Sequence, residues 1–236
     1  MQLSERLSSV ASMVTAGNCL ADVGTDHGYV PIYLYERNII PRAIAMDVNK
    51  GPLERARLHI AEFGFENAIE TRLSDGMAAL KPGEVDSVTI AGMGGPLIIR
   101  ILSAYPEVTA SLKELILQPQ SEISEVRSWL YENGYEIIEE HMVYEDGKYY
   151  PMFKAVYNSE APKLNALELK FGRLEVLKET SVLRAFVERE LKNKKMILEK
   201  LCAEDTEKSK ARAEEMKNLM SELEEILEKI SENFAV

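Results

Sequence analysis

Ala21-Asp22-Val23-Gly24-Thr25-Asp26-His27-Gly28-Tyr29 starts as an apolar run, turns on two glycines and leads into residues of helical composition. A strand, a glycine-bearing turn and a helix in that order open the nucleotide-binding half of a doubly wound α/β sheet. In that fold, ligands sit at the carboxyl ends of the strands, near the switch in strand order. This one segment therefore predicts both an architecture and a seat for a nucleoside.

Outward from it, short apolar runs alternate with helical stretches. Residues 19–23, 43–47, 87–91 and 114–118 read as strands, each followed by a turn bearing Gly or Pro, and residues 69–73 read as a weaker fifth. Such alternation predicts βαβ units, and hence a parallel sheet covered by helices. Residues 135–143 and 152–157 read as two more strands. Glu145-Asp146-Gly147-Lys148 joins them, and its Asp and Gly suit a hairpin turn. The expected first domain, residues 1–158, is a Rossmann-like α/β sheet finished by an antiparallel pair.

The character changes after Asn158-Ser159-Glu160-Ala161-Pro162, a polar stretch closed by proline. Beyond it, Val187, Leu191, Leu198 and Leu201 fall near heptad spacing, and Met216, Met220, Leu223, Leu227 and Ile230 keep a 4,3,4,3 rhythm. Residues 159–236 are therefore expected to form a helical coiled-coil extension of two long amphipathic helices, with residues 203–209 as the bend. The seams suit an antiparallel hairpin within one chain or a homodimer equally well, so monomer and homodimer both stay open here.

At 236 residues the chain has material for one substantial core and an appendage, since single domains run to roughly 100–200 residues. Hydrophobic residues at 46% and charged residues at 28% are ordinary globular values, which argues against disordered and collagen-like classes. No apolar run approaches the roughly 18–20 residues that span a bilayer, and no cationic leader opens the sequence, so a cytoplasmic location away from membranes is expected. Cys19 and Cys202 stand far apart without ligand spacing, so neither a disulfide nor a metal site is expected.

The formal net charge of −11 argues against polyanions, but it is unevenly spread. Residues 1–158 carry 13 Lys+Arg against 22 Asp+Glu, whereas residues 159–236 carry 15 against 17. In that near-neutral tail, Lys192, Lys194 and Lys195 cluster, as do Lys208, Lys210 and Arg212. Each cluster suits a phosphate backbone, but composition alone favours the solvated face of a charged helix.

Two nucleoside ligands compete for the loop. NAD asks for GxGxxG, so that backbone amides can approach a pyrophosphate. Here Gly24 and Gly28 flank Asp26, and a carboxylate facing a pyrophosphate costs several kcal/mol in a partly dry site, by an order-of-magnitude Coulomb estimate. S-adenosylmethionine presents a sulfonium and an ammonium instead, which suit Asp22 and Asp26. Asp47 ends the second strand roughly 20 residues further on, the distance at which a carboxylate meets ribose hydroxyls in such folds. Asp75 follows the third strand in Leu73-Ser74-Asp75-Gly76, where a side chain can accept from the exocyclic amine of adenine. A methyl donor is the favoured ligand, an NAD-dependent oxidoreductase the alternative.

On the acceptor side stands Ile90-Ala91-Gly92-Met93-Gly94-Gly95-Pro96, whose glycines leave room for a flat group. Gln118 and Pro119 end the next strand on the same edge, with Gln118 either bonding an acceptor or closing the turn. His27, His59 and His141 are scattered, and no general base announces itself, so the catalytic residue is unassigned. That suits attack by a ring nitrogen which already owns a lone pair and needs mainly alignment.

Ser4-Glu5-Arg6-Leu7, Ala21–Tyr29, Asp47-Val48-Asn49-Lys50-Gly51-Pro52-Leu53, Ile90-Ala91-Gly92-Met93-Gly94-Gly95 and Leu117-Gln118-Pro119 together resemble the bacterial TrmK family of tRNA (adenine-N1)-methyltransferases. The likeness spans about residues 1–157 and extends more loosely into the tail. It implies a class I methyltransferase domain with a coiled-coil extension, S-adenosyl-L-methionine as cofactor, and methylation of N1 of adenine 22 in the D-arm region of tRNA. It further implies donor contacts from Asp22, Gly24, Asp26, His27, Gly28, Tyr29, Asp47, Val48, Asp75, Gly76 and Ala91, with Gly92, Met93, Gly94, Gly95, Gln118 and Pro119 bordering the acceptor. The sequence departs from many relatives at Gly28, Asp47, Gln120 and Pro151. An acidic body holds no tRNA by charge, so the tail clusters, Lys192, Lys194, Lys195, Lys208, Lys210 and Arg212, are expected to do so. A non-catalytic coiled-coil RNA-binding protein is the non-enzymatic alternative.

Overall fold

Seven strands make one sheet in the computed structural model, which describes residues 1–203 and 206–232. They are β1 (Leu20–Val23), β2 (Ala43–Asp47), β3 (Ile69–Leu73), β4 (Ser87–Met93), β5 (Glu114–Pro119), β6 (Tyr135–Glu145) and β7 (Lys148–Tyr157). Every residue of β1, β2 and β5 is buried, as expected of parallel strands covered on both faces. The spatial order is β3-β2-β1-β4-β5-β7-β6, parallel as far as β5 and antiparallel through β7 and β6. The chain leaves β3 at one edge and re-enters beside β1 as β4. The carboxyl ends of β1 and β4 therefore flank the switch point, where such sheets bind ligands.

Six helices accompany this sheet: α1 (Glu5–Ser12), α2 (Tyr29–Glu36), α3 (Lys50–Glu62), α4 (Gly95–Ala104), α5 (Pro106–Ser111) and α6 (Ile123–Glu132). Sequence reading passed over α1, which starts where the Ser4 hydroxyl accepts from Leu7 N–H at 3.3 Å. The hairpin is longer than the sequence suggested. Asp146 (φ 49) and Gly147 (φ 78) both adopt the left-handed conformation of a two-residue turn, so pairing continues to Glu145 and Lys148. It is β7, the later strand, that pairs with β5, an order that local patterning does not encode.

Leu20, Ile32, Leu34, Ala45, Ile60 and Ile116 are almost wholly excluded from solvent in the core. At the amino-terminal ends of β4 and β5, the buried Glu114 carboxylate gathers a polar knot. It accepts from Thr15 N–H at 2.9 Å, Thr15 Oγ1 at 2.6 Å and Ser87 Oγ at 2.6 Å, and pairs with Lys154 Nζ at 2.8 Å. Burial alone pushes this carboxyl up, but its bonds to Lys154, Ser87 and Thr15 outweigh burial and hold it below the usual range.

The chain divides into two compact units, Met1–Leu164 and Asn165–Val236, a division six residues beyond the boundary expected after residue 158. In the second unit, α7 (Ala166–Phe171) opens on a capping box between Asn165 and Glu168. Then come α8 (Ser181–Cys202) and α9 (Glu207–Glu232). These two run antiparallel and pack on each other: Arg184 near the start of α8 donates to Ser231 near the end of α9 at 3.1 Å. Of the expected bend at 203–209, residues 204–205 lie outside the described residues, while Thr206 and Ser209 exchange the bonds that cap α9.

The buried row of α9 departs from the expected rhythm. Ala213, Met216, Leu223, Ile226 and Ile230 are buried, whereas Met220 and Leu227 are only half-buried. A straight helix of 3.6 residues per turn carries a strict heptad row about 20° around its axis per heptad, which brings Ile226 inward in place of Leu227. Among the described residues, no helix is long and apolar enough to cross a membrane.

Candidate functional site

The turn after β1 is held by main-chain bonds: Gly24 N–H and Thr25 N–H both donate to Met46 O, at 2.8 and 2.9 Å. Gly24 has φ +76, a left-handed conformation that favours glycine, and a Cβ there would press on the flexible tip of Met93. Asp22 points up from β1, almost wholly buried, and accepts from Thr89 Oγ1 on β4. Burial pushes its carboxyl above the usual range, hydrogen bonding by Thr89 opposes the rise, and the nearby charge of Asp47 adds to it. Asp47, at the end of β2, is also buried and orients one oxygen toward Asn49 N–H at 2.8 Å.

These residues open on two cavities of about 320 Å³ each that share Gly24, Ala91 and Gly92 as a floor. The first is walled by Asp47, Val48, Asn49, Asp75, Gly76, Met93 and Leu97, with Arg100 at its side. Val48 is 58% exposed and Leu97 37%, apolar groups left open as if for a flat ring. Asp75 is open to solvent and lies 3.7 Å from Arg100. The second is walled by Asp22, Asp26, His27, Tyr29 and Val30, together with Arg6, Leu7 and Gln120. His27 stacks on Tyr29 at 5.0 Å and on His59 at 5.1 Å, and its Nδ1 is buried without a partner among the described residues. An oriented carboxylate pair, an open apolar slot and an orphaned ring nitrogen make a fitting seat for a cationic nucleoside such as S-adenosylmethionine.

Several expected residues play other parts. Asp22 and Asp26 had equal shares in the charge argument, and the structure separates them. Asp26, at φ 46, is exposed and ion-paired with Arg55, with its other oxygen 3.7 Å from His27 Nε2, so its charge is already balanced. The buried carboxylates left lining the cavities are Asp22 and Asp47.

Gln118 was expected to bond an acceptor or close a turn. It is wholly buried and lines neither cavity: its Oε1 accepts from Arg6 Nη1 at 3.0 Å and Gly92 N–H at 3.1 Å, and its Nε2 donates to Pro119 O at 3.0 Å. Nor do Gly94, Gly95 and Pro119 border either cavity. A Cβ on Gly95 would sit 2.6 Å from Ser121 O, so that glycine serves close packing of α4 against the next loop. Pro119 pairs with Met93 across β5 and β4. Gly28 caps α2 in the left-handed conformation and packs on Ala56 of α3. Arg6, Gln120 and Arg100 were missed as site residues. No local pattern announces them, because Arg6 meets Gln118 across 112 residues of sequence.

In the tail, Lys192 and Lys195 on α8 and Lys208, Lys210 and Arg212 on α9 are exposed, whereas Lys194 is half-buried. Part of that charge is spent within the helices: Lys194 stands 3.6 Å from Glu190, Lys210 3.8 Å from Glu207 and Arg212 2.8 Å from Glu215. Among the described residues, no group of three or more His, Cys, Asp or Glu is arranged to hold a metal ion.

Residues 3–153 match the family model described as a methyltransferase domain. The tRNA (adenine(22)-N(1))-methyltransferase of Bacillus subtilis is 33% identical over 97% of this chain and 98% of its own length. The structure of Mycoplasma capricolum TrmK with S-adenosyl-homocysteine superposes with a TM-score of 0.83 at 29% identity, covering 97% of this chain and 99% of that one. The Sp1610 protein of Streptococcus pneumoniae, solved with S-adenosyl-L-methionine, gives a TM-score of 0.81 at 33% identity over 96% of this chain and 100% of that one.

Proposed function

Since this chain belongs to the tRNA (adenine(22)-N(1))-methyltransferase family, we propose that its joined cavities receive S-adenosyl-L-methionine and a tRNA adenine, and that it methylates N1 of adenine 22. The observation that carries the reading is the pair of buried carboxylates, Asp22 and Asp47, at the carboxyl ends of neighbouring parallel strands. Asp47 suits the ribose hydroxyls, Asp22 the ammonium, and the slot between Val48 and Leu97 the adenine, with Asp75 at its rim. S-adenosylmethionine bound there supplies a methyl carbon made electrophilic by its sulfonium.

The protein's part is alignment. N1 of adenine attacks with its own lone pair, the carbon–sulfur pair returns to sulfur, and the positive charge passes from sulfur to the base. No proton need leave before that step, so the step asks alignment of the cavity wall rather than proton abstraction. N1 lies on the Watson–Crick edge, so the adenine must be turned out of its pairing to reach Gly92.

The tRNA body is assigned to the second unit, through Lys192, Lys195 and Lys208 foremost, because these exposed cations have no recorded carboxylate partner among the described residues. The working place of such an enzyme is the cytoplasm, where tRNA is modified. The deciding experiment is transfer of labelled methyl from the donor to bulk tRNA, followed by mapping of the modified nucleoside, with 1-methyladenine at position 22 expected. Transfer to another nucleoside, or tight binding of NAD in place of the donor, overturns the reading.

A further inference from the structure

Arg6 is held differently from most arginines of this acidic protein: like Arg42, bound to a main-chain oxygen, and Arg184, bound to Ser231, it meets neutral groups, but it alone of the three lines a cavity beside Gly92. Arg55 pairs with Asp26, Arg72 with Glu70 and Glu84, Arg100 with Asp75, and Arg127 with Glu140. The guanidinium of Arg6 has no carboxylate within ion-pair distance among the described residues, and its recorded partners are neutral: Gln118 Oε1 at 3.0 Å and the Tyr150 ring at 5.4 Å. Glu145 meets the backbone N–H of Arg6 at 3.3 Å instead.

Its position is fixed in advance. Ser9 Oγ stands 2.7 Å from His141 Nδ1, and His141 Nε2 stands 2.7 Å from Glu139, which ties α1 to β6. Gln118 Oε1 receives Arg6 and Gly92 together, so the cation is locked to the cavity floor. A Cβ on Gly92 would lie 3.8 Å from Arg6 Nη1 and 3.7 Å from Gln120 Nε2, so both side chains reach the spot where the two cavities join.

A guanidinium set by an amide and a ring, with no counter-ion, is a seat for an oxyanion. On the reading above, two oxyanions reach this cavity: the donor's carboxylate and the acceptor's phosphate. Strand order separates them. Asp75, Asp47 and Asp22, which face the donor, stand at the ends of β3, β2 and β1, whereas Gln118 and Tyr150, which hold Arg6, belong to β5 and β7 beyond Gly92 on β4, although Asp22 and Arg6 line one cavity. We propose that Arg6 binds the backbone phosphate of the nucleotide presented for methylation and so sets its register over Gly92, an inference that rests on the tRNA methyltransferase reading.

The test compares the wild-type chain with Arg6→Gln and Arg6→Lys. Affinity for S-adenosyl-homocysteine is read by calorimetry, and kcat and KM for tRNA across a salt series. Arg6→Gln should raise KM for tRNA roughly tenfold, the scale of one lost charge-assisted contact. It should also flatten the slope of log affinity against log salt by about one, with affinity for the nucleoside unchanged. Arg6→Lys should keep the salt slope and recover part of the affinity. Weaker nucleoside binding with unchanged KM for tRNA would assign Arg6 to the donor's carboxylate and overturn the proposal. A higher KM with the wild-type salt slope would reduce Arg6 to a brace for Gln118, and overturn it as well. A wild-type chain that binds the nucleoside but methylates no tRNA would sink the parent reading along with this one, a result distinct from failure at Arg6 alone.

Discussion

Asp22 is an acid that its fold holds at a cost. Burial raises its carboxyl above the ordinary 3.8, so the folded chain keeps that proton more tightly than the unfolded one. The sign follows: relative to the unfolded chain, the site favours folding most below pH 3.8, and that advantage is lost as pH rises through the elevated value. At neutral pH, Asp22→Asn should therefore leave the unliganded protein as stable or more so in thermal melts. The same variant should weaken binding of the cationic donor about 10- to 100-fold by calorimetry, the scale of one lost charge-assisted bond. For the wild type, donor affinity should fall as pH drops through the Asp22 titration. A pH-independent affinity would show that this carboxylate does not meet the ligand. The carboxylates were readable in the sequence because the turn is short and each acid ends a strand. What composition could not tell is that Arg55, from a helix some 29 residues on, neutralises Asp26 but not Asp22.

Among elements, the parallel strands and the hairpin were legible because apolar runs and the Asp-Gly turn are local signals. The irregularity at the end of β4 was not. There the ladder to β5 shifts between Ala91 and Met93, Gly92 turns to φ +77, and its N–H goes to the side chain of Gln118. Gly95 belongs to the same joint. Gly95→Ala would press a methyl to within 2.6 Å of Ser121 O and 2.9 Å of Val126, so α4 must shift. A loss on the order of 1–3 kcal/mol in denaturant unfolding is expected, and an unchanged midpoint would refute the packing argument.

At the far edge, Arg72 on β3 clamps Glu70 and Glu84. The bond to Arg72 holds the Glu84 carboxyl down to about 2 from an ordinary 4.5. The stabilisation is present above pH 4.5 and is lost as pH falls toward 2, a contribution on the order of 1–2 kcal/mol after solvent screening. Glu84→Gln should remove that part of the acid transition.

Over the whole molecule, charge is divided between the units, and partner choice should follow that division. Replacing Lys192, Lys195 and Lys208 together by Ala should weaken tRNA binding at least tenfold and flatten its salt dependence by two to three, with donor affinity preserved. Unchanged tRNA affinity would return these lysines to the role of solvated helix faces. The tail illustrates how far sequence carries: two long helices were plain from their apolar rows, but their pairing within one chain was not, since the same seams serve a dimer.

The shared floor of the two cavities has a bearing on traffic. Gly24, Ala91 and Gly92 line both of them, at the carboxyl ends of β1 and β4. A nucleoside and a bulky polynucleotide must then use one doorway, and whichever stands in the frame detains the other. Spent nucleoside should escape more slowly from a tRNA-bound enzyme than from the bare one, a delay that rapid-mixing fluorescence can time.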